Sequence, residues 1–174
     1  AVTARRGWSQ LSNAEQDMVR FVIGALEEVA AGLELAKAQA NPNTFEPIQR
    51  FYEHALIAYV AGLFLASGNN VVTALRRIGH DEACAPALRL LDQPLGTTTL
   101  RAVLGEYRNI FLAHPQFSIR AVINSTKRKL GFDMEVPHNA ISYGMLRNEL
   151  FHSIAEMRVE MECRFPEAYS SQTH

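Results

Sequence analysis

The sequence predicts an all-α fold, a helical bundle of four to six helices with an irregular, in part extended, connection before the last helix. Three observations carry that expectation. Apolar residues recur at steps of three and four through most of the chain, the period of one buried helix face. Capping residues, or glycine and proline stops, bracket the periodic runs. No internal repeat, low-complexity tract or linker divides the 174 residues, so 1–174 reads as a single helical domain long enough to bury a core.

The elements follow in order. Ser12-Asn13-Ala14-Glu15 has the form of a capping box, in which a hydroxyl and a carboxylate satisfy the free amides of a helix start. Behind it Met18, Val22, Leu26, Val29, Leu33 and Ala36 make one stripe on a helix of roughly 25 residues. Asn41-Pro42-Asn43-Thr44 is a turn. Asn43 or Thr44 can cap a second helix, which tolerates Pro47 in its first turn. That helix carries Ile48, Phe51, Tyr52, Ala55, Leu56, Tyr59, Val60 and Leu63, and its second half is apolar nearly all round, which predicts a central place in the bundle. Gly68 ends it. A short helix is expected over 71–78, stopped by Gly79, and Pro86 opens another through Leu91. Asp92-Gln93-Pro94-Leu95-Gly96 is a turn, after which Thr97, Thr98 or Thr99 can cap a helix carrying Leu100, Val103, Leu104, Tyr107 and Phe111. Pro115 biases His114 away from helical dihedrals, so this helix should end near Ala113. Residues 115–138 carry the weakest pattern, and 117–123 read as either a strand or an irregular helix. The last helix should run from about Asn139 to about Arg164 on a stripe of Leu146, Leu150, Ile154, Met157, Met161 and Phe165.

Composition narrows the function. Hydrophobic residues make up 48% and charged residues 20%, which excludes a disordered chain. Seventeen Lys and Arg against 18 Asp and Glu exclude a strongly basic coat for nucleic acid, though not a local basic patch. The two cysteines, Cys84 and Cys163, offer no disulfide framework and no Cys-rich metal module. The longest apolar run, 55–66, is about a dozen residues, too short to span a bilayer. With no signal peptide legible at Ala1, a cytoplasmic setting is expected. A Gly-rich phosphate loop, a Gly-x-Ser-x-Gly elbow, His-Glu-x-x-His and Cys-x-x-Cys are all absent from the sequence, which argues against the common hydrolases, kinases and dinucleotide enzymes.

Two segments stand out: Tyr107-Arg108-Asn109-Ile110-Phe111-Leu112-Ala113-His114 and Leu146-Arg147-Asn148-Glu149-Leu150-Phe151-His152. Each sets an Arg-Asn pair about a helical turn and a half ahead of a His. Both resemble the signature of the HEPN superfamily, an Arg, usually followed by a polar residue, then a short spacer and a His. The wording of the first is similar to abortive-infection-type members. The resemblance implies a small helical bundle, often a homodimer in which two such pairs meet across the interface. It implies metal-independent RNA cleavage without a cofactor, in toxin–antitoxin or anti-phage defence, with an antitoxin protein as a further partner. Neither His is followed by x-Tyr, the arrangement of HEPN proteins silenced by nucleotidylation; Phe117 lies three residues beyond His114.

The residue types suit that chemistry. Cleaving RNA without a metal requires activating a 2′-hydroxyl, protonating a leaving oxygen and neutralising charge on phosphorus. His titrates near neutrality and serves as base or acid. Arg grips phosphate oxygens with a planar fork. On an ideal helix Arg108 and His114 lie about 120° apart, but the stop at Pro115 lets His114 turn back. Arg147 and His152 lie about 140° apart on an unbroken helix. No Asp or Glu occurs between Glu106 and Asp133, while Arg108, Arg120, Lys127, Arg128 and Lys129 do. His152 has Glu149, Glu156 and Glu160 for neighbours in sequence. The preferred catalytic set is therefore Arg108, Asn109 and His114. Arg120, Lys127, Arg128 and Lys129 are expected to bind substrate, and Arg147 with His152 is the alternative pair.

Rival readings attach to the same residues. A solvated helix face with His114 as its cap explains the first segment without catalysis, and a solvated turn explains 127–129. Glu149-Leu-Phe-His152 has di-iron spacing, but its only companion, Glu135-Val-Pro-His138, contains a proline and precedes the last helix, so no metal site is expected. His80, Asp81 and Cys84 read as loop and core. The alternative function is a non-catalytic helical binding or interaction module, either a HEPN-type scaffold or a small-ligand binder. Ile141, Met145, Phe151 and Val159 lie off the main stripe of the last helix, and Ile110 and Leu112 flank Phe111, so an apolar patch and a homodimer interface near Phe111 and His114 are expected.

Overall fold

The computed structural model describes residues 4–39, 46–113 and 119–170. After a short 3-10 turn at Trp8–Gln10, the helices are α1 (Asn13–Gln39), α2 (Glu46–Leu65), α3 (Val71–Arg77), α4 (Ala85–Leu91), α5 (Leu100–Ala113), α6 (Ile119–Leu130), α7 (Pro137–Arg164) and α8 (Glu167–Ser170). A second 3-10 turn, Asp81–Cys84, leads into α4. The strands β1 (Pro94–Leu95) and β2 (Thr98–Thr99) form a minimal antiparallel hairpin, with Pro94 opposite Thr99. The fold is all-α, as the periodicity requires.

α1 and α7 form the long spine. α1 lies against both α7 and α2, α2 lies along α5, and α6 covers α5. The α1 stripe buries Val22, Leu26, Val29 and Leu33, while Met18 and Ala36 sit at its edge. The capping box forms: Glu15 N–H donates to Ser12 Oγ at 3.3 Å, and Ser12 N–H to Glu15 Oε2 at 2.9 Å. Arg6 also grips Glu15, and that hydrogen bond, with help from Ser12, holds the carboxyl down at about 2.

Three expectations change. α2 is not central: Leu56, Ile57, Val60, Ala61 and Phe64 are buried, but Phe51, Tyr52 and Tyr59 are exposed. α2 packs on α1 and α5, and at its exposed edge beside α1 the Tyr59 hydroxyl donates to Glu28. In the connection before the last helix, 119–130 is helical and 131–136 is coil and turn, so α6 replaces the strand alternative and, among the described residues, the irregular stretch is confined to the six residues before α7. α6 packs Val122 inward and turns its Lys and Arg outward. α7 starts at Pro137 rather than Asn139, because proline fits the first helical turn. Glycines with positive φ carry turns that other residues would strain. Gly96 (φ +61) closes the hairpin, and Gly131 (φ +66) ends α6. The turn and caps expected over 41–45 lie outside the described residues.

The end of α7 is tied to the start of the chain. Phe165 is fully buried, with Trp8 at 6.2 Å and His80 at 4.9 Å between ring centres. Arg164 donates to His80 Nδ1 at 3.0 Å, so His80 Nε2–H donates to the Arg6 carbonyl at 3.1 Å. Gly79 (φ +79) lets this segment pass, since a methyl there would come within 2.5 Å of the Ala4 carbonyl oxygen. His80 and Cys84 are buried, as loop and core residues should be. Among the described residues no helix is long and apolar enough to cross a membrane.

Candidate functional site

α5 is helical through Ala113, and the stop expected at Pro115 lies outside the described residues. Of the preferred catalytic set, Arg108 is half-buried and its Nε is enclosed without a hydrogen-bond partner, while Asn109 is exposed. His114 lies outside the described residues.

The second segment lines a cleft of about 240 Å³ between α1, α2 and α7. Lys37, Arg147, Asn148 and His152 all face it, above an apolar floor that includes Leu33, Leu56 and Phe151. The angular separation of Arg147 and His152 does not part them, because the cleft runs along α7 and the Arg side chain is long. Arg147 is pinned from two sides, by an ion pair with Glu53 and by the Tyr143 ring 5.5 Å below its guanidinium. Its Nε is buried without a partner. Lys37 pairs with Glu34 at 2.8 Å, and that hydrogen bond holds the Glu34 carboxyl below its usual range. His152 is exposed. Of the acids expected to spoil this place, Glu160 is occupied by Arg164.

The two segments meet behind the cleft. Tyr107 stacks on Tyr143 at 5.9 Å between ring centres and 8° between planes. His54 stands edge-on to Tyr107 at 6.1 Å and to Phe111 at 5.3 Å. Burial pushes both phenols up, Tyr143 most of all, and the Tyr143 hydroxyl is enclosed without a well-formed hydrogen bond. Burial also lowers the His54 imidazole below its ordinary value; Glu53 opposes the shift, and Arg147 and Arg50 add to it. The unfolded chain therefore takes up the His54 proton first on acidification. Its contribution to stability is complete above about pH 6.5 and is lost as pH falls through that value toward the lower folded one. His54→Phe should flatten the fall in stability between about pH 7 and pH 5, which urea midpoints across that range would show.

The basic window is not acid-free in space. Lys129 pairs with Glu106 at 2.8 Å, Lys127 with Asp133 at 2.7 Å and Arg120 with Glu135 at 2.5 Å. Burial would raise the Glu106 carboxyl, but hydrogen bonds from Lys129 and Ser125 outweigh it and hold the group low. Arg128 is exposed near the same carboxylate. The expected unopposed positive surface is corrected on this point: the flanking acids at 106, 133 and 135 fold back onto it.

Sequence reasoning missed Lys37, Glu53, His54 and Tyr143. One signal for His54 was present, since 54, 57, 61 and 64 share one face of α2 and the last three are apolar. Among the described residues no three His, Cys, Asp or Glu side chains converge so that they could hold a metal ion. Comparison of the chain with family models, with characterised proteins and with solved structures finds no match.

Proposed function

We propose that the chain is a HEPN-like endoribonuclease that cleaves RNA without a metal ion and works in defence or growth control. The observation that carries the reading is the convergence of Lys37, Arg147, Asn148 and His152 on one cleft. Arg147, held by Glu53 and Tyr143, and Lys37 grip the phosphate. His152 takes the proton of the 2′-hydroxyl, whose oxygen attacks phosphorus. The P–O5′ bond breaks, the leaving 5′-oxygen takes a proton from water, and the products are a 2′,3′-cyclic phosphate and a 5′-hydroxyl. Arg108, Asn109 and His114, with the same family signature, form the rival set, and the cations at 120 and 127–129 guide the RNA only where their carboxylate partners release them. The test is cleavage of a mixed RNA pool in EDTA, with the product ends identified. No cleavage rejects the reading and leaves the non-catalytic binding module, and cleavage that needs added metal rejects the metal-free mechanism.

A homodimer belongs to the same proposal. Ile141 (62% exposed), Met145 (60%) and Val159 (47%) lie on the outward side of α7 with His152. Phe151 and Ile110 are buried within the chain, so the exposed apolar patch among the described residues lies on α7, while His114 lies outside them. A two-fold pairing through α7 would cover the patch and bring two His152 side chains near each other. The chain should sediment as a dimer at micromolar concentration and Met145→Asp as a monomer; a wild-type monomer removes the composite site. In such a system an antitoxin protein would be the regulatory partner.

A further inference from the structure

We propose that a second cleft, between α1, α2 and α3, binds an amphipathic organic anion, an apolar chain or ring carrying one carboxylate. The cleft measures about 430 Å³, within the range of small-molecule pockets. Met18, Phe21, Val22, Leu63, Val71 and Ala74 make its apolar wall. Phe21 stands at the mouth 72% exposed, a large ring the chain itself does not cover.

Gly62 adds an independent sign that the space is kept open. It lies inside α2, where glycine weakens a helix relative to alanine. No close packing demands it, because a methyl built there meets nothing within 4 Å. Its missing side chain leaves the cleft its depth.

The polar groups specify the ligand's charge. Arg77 lines the cleft, and among the described residues it has no carboxylate within ion-pair distance, whereas its neighbour Arg76 is committed to Asp81 at 3.1 Å. No acidic residue lines the cleft. Asn70 is used up: it donates to the Ala66 carbonyl and accepts from the Thr73 amide. Asn69 also lines the cleft and is exposed, with an amide side chain to offer a second hydrogen bond. One guanidinium fork against an apolar wall fits a single carboxylate on an apolar body. From Met18 to Leu33 of the other cleft α1 rises about 20 Å, so this site stands or falls apart from the RNA reading.

The test is a ligand-observed NMR titration of the full chain with octanoate and with octanol. Octanoate should bind saturably, about tenfold tighter than octanol. Arg77→Gln should abolish that preference and keep weak binding of both. Gly62→Leu should abolish binding of both without lowering the melting temperature; Ala74→Leu, which fills the cleft from α3, is the second filler. Non-saturable octanoate binding, a preference that survives Arg77→Gln, or affinity unchanged in both filled variants overturns the proposal.

Discussion

His152→Ala is expected to lose RNA cleavage by about a hundredfold or more, the contribution of one positioned proton-transfer group, while its helical content and melting temperature stay near wild type. The imidazole is exposed at the rim of the cleft, so its removal leaves the fold intact. Arg147→Lys should cost less but still reduce cleavage, since an ammonium keeps the charge and loses the fork that Glu53 and Tyr143 orient. The counterpart is His114→Ala. Should loss follow His114 while His152→Ala cleaves normally, catalysis belongs to the α5 segment and the cleft only guides the substrate. Initial rates on a single-site RNA substrate, with circular dichroism of each variant, separate the outcomes.

Phe165→Ala should cost about 3–5 kcal/mol, the usual penalty for emptying a buried aromatic site. The ring fills the space between Trp8 and His80. Neither neighbour can close the void easily. His80 is bonded through both ring nitrogens, and the Arg20 guanidinium lies 4.9 Å from the centre of the Trp8 ring. For a chain of this length the loss corresponds to a fall of roughly 6–20 °C in the melting temperature. Scanning calorimetry is the check, and a change within a degree or two would mean that the void collapses.

The fold was legible where periodicity and stops agreed. The α1 stripe and the glycine stops followed from local chemistry that acts within a few residues. α6 was not legible, because Pro115 and a polar run hid a short amphipathic helix with only Val122, Ser125 and Thr126 buried. The place of α2 was misjudged because aromatic side chains count as apolar while Tyr59 spends its hydroxyl at the surface. The candidate site was partly legible. Arg147, Asn148 and His152 are close in sequence, whereas Lys37 and Glu53 join them only through the packing of α1 and α2 on α7. The charge of the 108–129 window misled for the same reason, since a linear count does not include carboxylates that return from Glu106, Asp133 and Glu135.

The stack of Tyr107 on Tyr143 makes the two Arg-Asn segments one mechanical unit. Tyr107 is the covalent neighbour of Arg108, and Tyr143 carries Arg147 on its face. A change in either segment shifts the ring under the other, so substitutions in the two should be non-additive. A double-mutant cycle between Tyr107 and Arg147 reads that coupling directly, even though the two residues sit on different helices. Loss of function after a single substitution in α5 would therefore not assign the chemistry to α5, because part of the loss is carried across the stack to α7.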